Sequence, residues 1–156
     1  MAISALIYED NELLRESLCS MFSLTNEINV CGAFNSPTNF KDHLQKYRPD
    51  LILMDIDMPE MDGIEAVQKI RSINKNVPII MLTVFDDDRH VFDAICAGAS
   101  GYLLKKHISS KLYESVREVL DGGAPMSPSI ARMVISSMQQ PQTPVADYQL
   151  TPREKE

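Results

Sequence analysis

Cysteine is scarce in this chain and badly placed for cross-linking. Three occur in 156 residues, Cys19, Cys31 and Cys96. The number is odd and no pair has C-x-x-C spacing, which argues against a disulfide scaffold or a zinc ribbon. They read as buried thiols in a reducing compartment. Positive charge is also short: 15 Lys and Arg against 22 Asp and Glu leave a net charge of −7. That argues against nucleic-acid binding by this segment, because phosphate contacts need clustered basic side chains. Long apolar runs are missing, and no stretch reaches the ~18 residues of a membrane span. The N-terminus has no basic region followed by an apolar run, so no signal peptide is expected and the expected location is the cytoplasm. His43, His90 and His107 lack metal-ligand spacing and read as surface or helix-end residues.

What the sequence does contain is enough for a packed core. Apolar residues make up 44% and charged residues 24%, an ordinary balance for a globular domain. Short apolar runs occur at Ala5–Tyr8, Val30–Phe34, Leu51–Met54, Ile79–Leu82 and Tyr102–Leu104, with longer amphipathic stretches between them. This alternation predicts βαβ units in a five-stranded, doubly wound (βα)5 parallel sheet. The unbroken central runs LILM and IIML fit strands covered on both faces. Ser36-Pro37 reads as the cap and first residue of a helix, and Asp86 as a cap for the stretch from Asp87 to Ala97 that Gly98 ends. Ser109 or Ser110 is expected to cap the next helix, which Gly122-Gly123 terminates. Ser127-Pro128 starts a further amphipathic helix, and Gln139–Pro144 reads as a flexible linker. Residues 1–124 are therefore expected as one domain and 125–149 as linker, with 150–156 as the start of a second domain.

In doubly wound sheets, ligands bind beyond the carboxyl ends of the strands. The residues that follow the apolar runs are Glu9-Asp10, Asp55 with Asp57 two places on, Thr83, and Lys105. Each has an ordinary explanation as a helix cap, turn residue or solvated strand end. Asp10, for one, could cap the first helix. Their joint placement at four strand ends argues for one site. Clustered carboxylates repel and invite a cation. Mg2+ suits hard oxygen ligands and keeps positions open for phosphate oxygens. An ionised Asp can serve as a nucleophile towards phosphorus. Thr83 and Lys105 can neutralise the transferred oxygens. No residue stands out as a base for attacking water, which suits a lasting phosphoryl group better than turnover.

Glu9-Asp10, the stretch LILMDIDMPEMDG from Leu51 to Gly63, Thr83-Val84 and GYLLKK from Gly101 to Lys106 resemble the receiver domain of bacterial two-component response regulators. The resemblance runs over about residues 1 to 125 and implies a flavodoxin-like sheet of order 2-1-3-4-5. It implies that Asp55 takes a phosphoryl group from a sensor histidine kinase. Glu9, Asp10 and Asp55 would hold Mg2+ together with the Asp57 backbone carbonyl, while Thr83 and Lys105 bind the phosphoryl oxygens. Tyr102 would be an aromatic switch that turns inward as Thr83 moves. The stretch AGASGY from Ala97 to Tyr102 and the helix after Gly123 look like the subgroup with a LuxR-type helix-turn-helix output domain. LTPREKE at 150–156 resembles the opening of that DNA-binding domain. Partners implied are the kinase, a second copy on phosphorylation, and DNA through the output domain alone, with no membrane.

Three departures stand out. Glu9 replaces the more usual Asp, Lys106 stands where many relatives have proline, and Asp57 adds a carboxylate. Phe85 is placed to shield a phosphoryl group from water. One rival reading takes Asp55-Ile56-Asp57 as the D-x-D core of a haloacid-dehalogenase-type phosphatase, with Asp57 as acid/base. Met58-Pro59 does not continue that motif, and Glu9-Asp10 would have no role in it. The other rival is a receiver that docks without phosphorylation.

Overall fold

A computed structural model describes residues 2–58, 61–84, 88–124 and 128–139. Five strands, β1 (Ile3–Tyr8), β2 (Ile28–Phe34), β3 (Leu51–Asp55), β4 (Ile79–Thr83) and β5 (Gly101–Leu104), alternate with helices. The helices are α1 (Glu12–Ser23), α2 (Phe40–Tyr47), α3 (Gly63–Ile73), α4 (Asp88–Ala97), α5 (Ile108–Leu120) and α6 (Pro128–Gln139). The sheet is wholly parallel, in the order β2-β1-β3-β4-β5. The flavodoxin-like (βα)5 arrangement expected from the sequence is the one observed. The chain divides into two units, Met1–Met126 and Ser127–Glu156, and α6 belongs to the second.

Why the central strands are unbroken apolar runs is plain from their burial. Every residue of Leu51–Asp55 and Ile79–Thr83 is buried. Successive side chains alternate between two cores. Leu6, Tyr8, Ile52, Met54, Ile79 and Met81 pack with Ala66, Val67 and Ile70 of α3, Phe40 of α2 and Ala94 of α4. Ala5, Ile7, Leu51, Leu53, Ile80 and Leu82 pack with Leu18 and Phe22 of α1 and Ile108, Leu112, Val116 and Val119 of α5. Each such side chain stabilises the fold by about 1.5–3 kcal/mol relative to exposure. Two layers of helix therefore clamp the strands and hold their carboxyl ends in fixed register.

Several local details differ from the sequence expectations. α2 begins at Phe40 rather than at Pro37. Ser36 Oγ instead accepts from the Thr38 amide, at 3.3 Å, in a turn. Asn11, not Asp10, caps α1 by accepting from Leu14 N at 3.0 Å. α5 starts at Ile108, directly after a 3-10 turn over Lys105–His107, so neither Ser109 nor Ser110 is its cap. Ser110 Oγ donates backwards to the His107 carbonyl, at 3.2 Å. The thiols are less buried than expected: Cys96 is exposed, and Cys19 and Cys31 are half-buried. His43 is no plain surface residue. It stacks on Phe34 with ring centroids 3.8 Å apart, and its Nδ1 lies 2.7 Å from the buried Tyr8 hydroxyl. Gly98 does end α4, with φ of 121°, and Gly122 follows α5 with φ of 93°, both in the left-handed region that glycine enters without penalty. Peptide bonds in the described residues are trans, Lys105–Lys106 included. The Asp86 cap, Phe85 and residues 140–156 lie outside the described residues.

Candidate functional site

Register brings the polar residues together. Tyr8 pairs with Met54, so Glu9, one residue on, stands level with Asp55. Asp55 pairs with Leu82, and Thr83 with Leu104, so Lys105 follows immediately beyond the same edge. One carboxylate oxygen from each of Glu9, Asp10 and Asp55 lies within 4.8 Å of the others. The Lys105 ammonium sits 3.1 Å from Asp55 Oδ1, 3.1 Å from Glu9 Oε1 and 3.1 Å from Glu9 Oε2. Thr83 is buried at the end of β4, beside them.

Local chemistry fixes the acids. Glu9 is held by its backbone, whose amide donates to Phe34 O at 2.9 Å and whose carbonyl accepts from Arg15 Nη1 at 2.8 Å. Its Oε2 also accepts from the Asn11 amide at 3.0 Å. Asp55 Oδ1 accepts from the Asp57 amide at 3.3 Å. Glu9 Oε1 is buried with only the Lys105 ammonium beside it, and the buried Asp55 Oδ2 takes no hydrogen bond. Glu9 is 0% and Asp55 1% exposed, and a buried carboxylate is costly unless paired. Burial, then a hydrogen bond shared with Asp10, then the charge and hydrogen bonding of Glu9 push the Asp55 pKa up to about 8, against the pull of Lys105. Burial alone would lower the Lys105 pKa, but the charge of Asp55 and hydrogen bonds to both acids hold it above its ordinary value.

This donor set fits a divalent cation. Three hard carboxylates converge, the buried Asp55 Oδ2 takes no hydrogen bond, and a divalent ion among them would favour the ionised form of Asp55 that burial disfavours. Glu9, Asp10 and Asp55 form a cluster positioned for phosphorylation and for cation coordination. Asp57 contributes an amide, but its side chain is exposed and lies outside this group. Tyr102 lies below the edge on β5, paired with Met81 and half-buried against the same core. Because side chains alternate along a strand, it shares a face with Thr83. The contact that the sequence reading missed is the direct reach of Glu9 to Lys105. The extra methylene of Glu over Asp was its signal.

Comparison with known proteins agrees with this geometry. The family model for the response regulator receiver domain matches residues 5–117. The chain belongs to that family, whose members act as phosphoacceptor switches rather than turnover enzymes. It is 34% identical to the transcriptional regulatory protein DegU of Brevibacillus brevis over 133 residues, which is 85% of this chain and 56% of the relative. It is 33% identical over 130 residues to the response regulator protein VraR of Staphylococcus epidermidis, covering 83% of this chain and 62% of the relative. The chain thus spans little more than half the length of these relatives. Among solved structures, a LuxR-family two-component response regulator from Aurantimonas sp. SI85-9A1 superposes with a TM-score of 0.78 at 24% identity, covering 90% of this chain and 100% of the other. The signal receiver domain of NarL from Mycobacterium tuberculosis gives 0.72 at 26% identity, covering 78% and 98%.

Proposed function

We propose that Asp55 is the phosphoacceptor of a two-component response regulator. A carboxylate oxygen of Asp55 forms a bond to phosphorus as the P–N bond of a phosphohistidine on the sensor kinase breaks, and the imidazole leaves. The observation that carries this reading is the convergence of Glu9, Asp10 and Asp55 within 4.8 Å with the Lys105 ammonium against two of them. Glu9, Asp10, Asp55 and the Asp57 carbonyl would hold Mg2+, which neutralises phosphoryl oxygens and brings donor and acceptor together. Lys105 and the Thr83 hydroxyl hold the remaining oxygens. Thr83, drawn towards the phosphoryl group, leaves room on the face it shares with Tyr102, and Tyr102 turns inward. The phosphoryl group, which replaces one carboxylate charge with a larger dianionic group and three strong acceptor oxygens, drives the shift.

The name of one relative supports a reading of what this switch controls. DegU is named as a transcriptional regulatory protein. On this reading residues 1–124 form the receiver, 125–149 the linker, and 150–156 open a LuxR-type DNA-binding domain. Phosphorylation promotes pairing with a second copy, and the protein works in the cytoplasm. No helix of the described residues is long and apolar enough to cross a membrane. The exposed Asp57 side chain, away from the acidic cluster, speaks against the phosphatase alternative in which it would be the acid/base.

The test is Mg2+-dependent labelling by acetyl phosphate, read by intact mass. Wild type gains one phosphoryl group and Asp55→Asn gains none. Equal labelling of both proteins, or continuous ester hydrolysis that needs Asp57, would overturn the reading.

A further inference from the structure

His43 stands where the apolar stripe of α2 calls for a hydrophobe. Phe40, Leu44 and Tyr47 pack into one core, and His43 shares their face because residues three and four apart are neighbours on a helix. Its ring stacks on Phe34, with centroids 3.8 Å apart and planes 10° from parallel. Its Nδ1 lies 2.7 Å from the hydroxyl of Tyr8, which is 0% exposed. Tyr8 and Phe34 are the last residues of β1 and β2, and they pair with each other. Glu9 follows directly, and its amide donates to Phe34 O at 2.9 Å. One ring on α2 thus touches both residues that frame Glu9.

The proton in this contact has a definite place. Burial first, then Cys31 and Tyr47, hold the Tyr8 phenol well above its ordinary range, so the hydroxyl keeps its proton and donates it to a neutral Nδ1. Among the described residues no other hydrogen bond reaches that hydroxyl. A second proton on His43 turns Nδ1 into a donor. Tyr8 can accept from it only by leaving its own proton buried without a partner, which is costly. The titratable groups around the ring are Asp42, Lys46 and Tyr47 of α2, Tyr8 of β1 and Cys31 of β2. Asp42 favours the charged ring, but burial and Lys46 outweigh it, so His43 titrates below 6.5. Cys31 is held protonated by burial and donates to Ala5 O at 3.3 Å.

We propose that His43 is an acid-operated clasp. Neutral, it ties α2 to the ends of β1 and β2. Protonated, it swings towards water and loosens the backbone that carries Glu9, which slows phosphoryl acceptance at Asp55. The effect on acceptance rests on the phosphoacceptor reading of the site, and the clasp itself does not. The half-buried place of His43 gives the charged ring a short way out, while Phe40, Leu44 and Tyr47 keep α2 folded against the sheet.

Amide hydrogen exchange followed by NMR, with neither cation nor phosphoryl donor present, reads the clasp. As the His43 ring titrates in the wild type, protection of the Glu9 amide falls about tenfold with the same midpoint. In His43→Gln the side-chain oxygen accepts from Tyr8 at every pH, and Glu9 protection shows no such step. Tyr8→Phe raises the His43 midpoint, since no hydroxyl then claims its lone pair, and uncouples Glu9 from it. Labelling by acetyl phosphate in saturating Mg2+ reads the consequence. Between about pH 7.5 and about pH 5 the wild type loses about tenfold more rate than His43→Gln. Protection that stays level while His43 titrates, or that falls equally in His43→Gln, would overturn the clasp, as would equal losses of labelling rate. A wild type that takes no label even near neutral pH would overturn the phosphoacceptor reading, and exchange would still decide the clasp.

Discussion

Removing the Asp55 charge should stabilise the protein that lacks a divalent cation. Asp55 is 1% exposed and faces two other carboxylates. Burial and those neighbours push its pKa from an ordinary 3.8 up to about 8. Between those two values the folded chain keeps a proton that the unfolded chain has lost. Stability from this group is therefore fully present below pH 3.8 and drains away as pH rises towards 8. The pull of Lys105 is already contained in that value, and at about 1.4 kcal/mol per pKa unit the cost near pH 8 is several kcal/mol. The substitution Asp55→Asn keeps the shape and the Oδ1 acceptor without the charge. Thermal melts of both proteins in chelator should nearly coincide near pH 4 and diverge to about 10 °C near pH 8, with the variant higher. Saturating Mg2+ should narrow the gap, because the ion compensates only the charged site. A gap that is constant with pH, or a variant that melts lower at pH 8, would refute the reasoning.

Other perturbations test the scaffold. A Cβ on Gly63 would lie 2.3 Å from the Asp55 carbonyl oxygen and 2.8 Å from Ile56 Cα. Backbone cannot give way there, so Gly63→Ala should cost about 3 kcal/mol in denaturant melts and slow Asp55 labelling. Arg71 ties α3 to the turn before β5, donating through Nε to Gly98 O at 2.8 Å and through Nη1 to Asn74 O at 3.2 Å. Arg71→Ala should cost about 1–3 kcal/mol and speed hydrogen exchange around Ser100, with unchanged exchange as the contrary result. Burial holds the His43 pKa below its ordinary 6.5. The folded ring stays neutral where the unfolded one is charged, so this group's stability is lost as pH falls below 6.5. An NMR titration of His43 with a midpoint at or above 6.5 would contradict that.

Much of this protein is legible residue by residue. Unbroken apolar runs mark strands covered on both faces, because a parallel sheet wrapped in helices leaves no wet side for polar residues. The polar residue after each run marks the carboxyl edge where such sheets bind ligands. Those two local patterns led to the fold and to Glu9, Asp10, Asp55, Thr83 and Lys105. Helix starts were less legible. Ser36-Pro37 and Ser109-Ser110 have the chemistry of caps, yet packing of Phe40 and Ile108 into the two cores decides where α2 and α5 begin.

Strand-end position is written in the order of residues, since periodicity of two and the runs themselves are local properties of the chain. Which acid touches which base is not, because that depends on strand register and on side-chain length measured across a sheet. Only the folded arrangement sets Glu9 level with Asp55 and lets its longer arm meet Lys105, 96 residues away. It likewise turns Asp57 outward and brings Arg71 across to the Gly98 turn, contacts that no spacing along the sequence encodes.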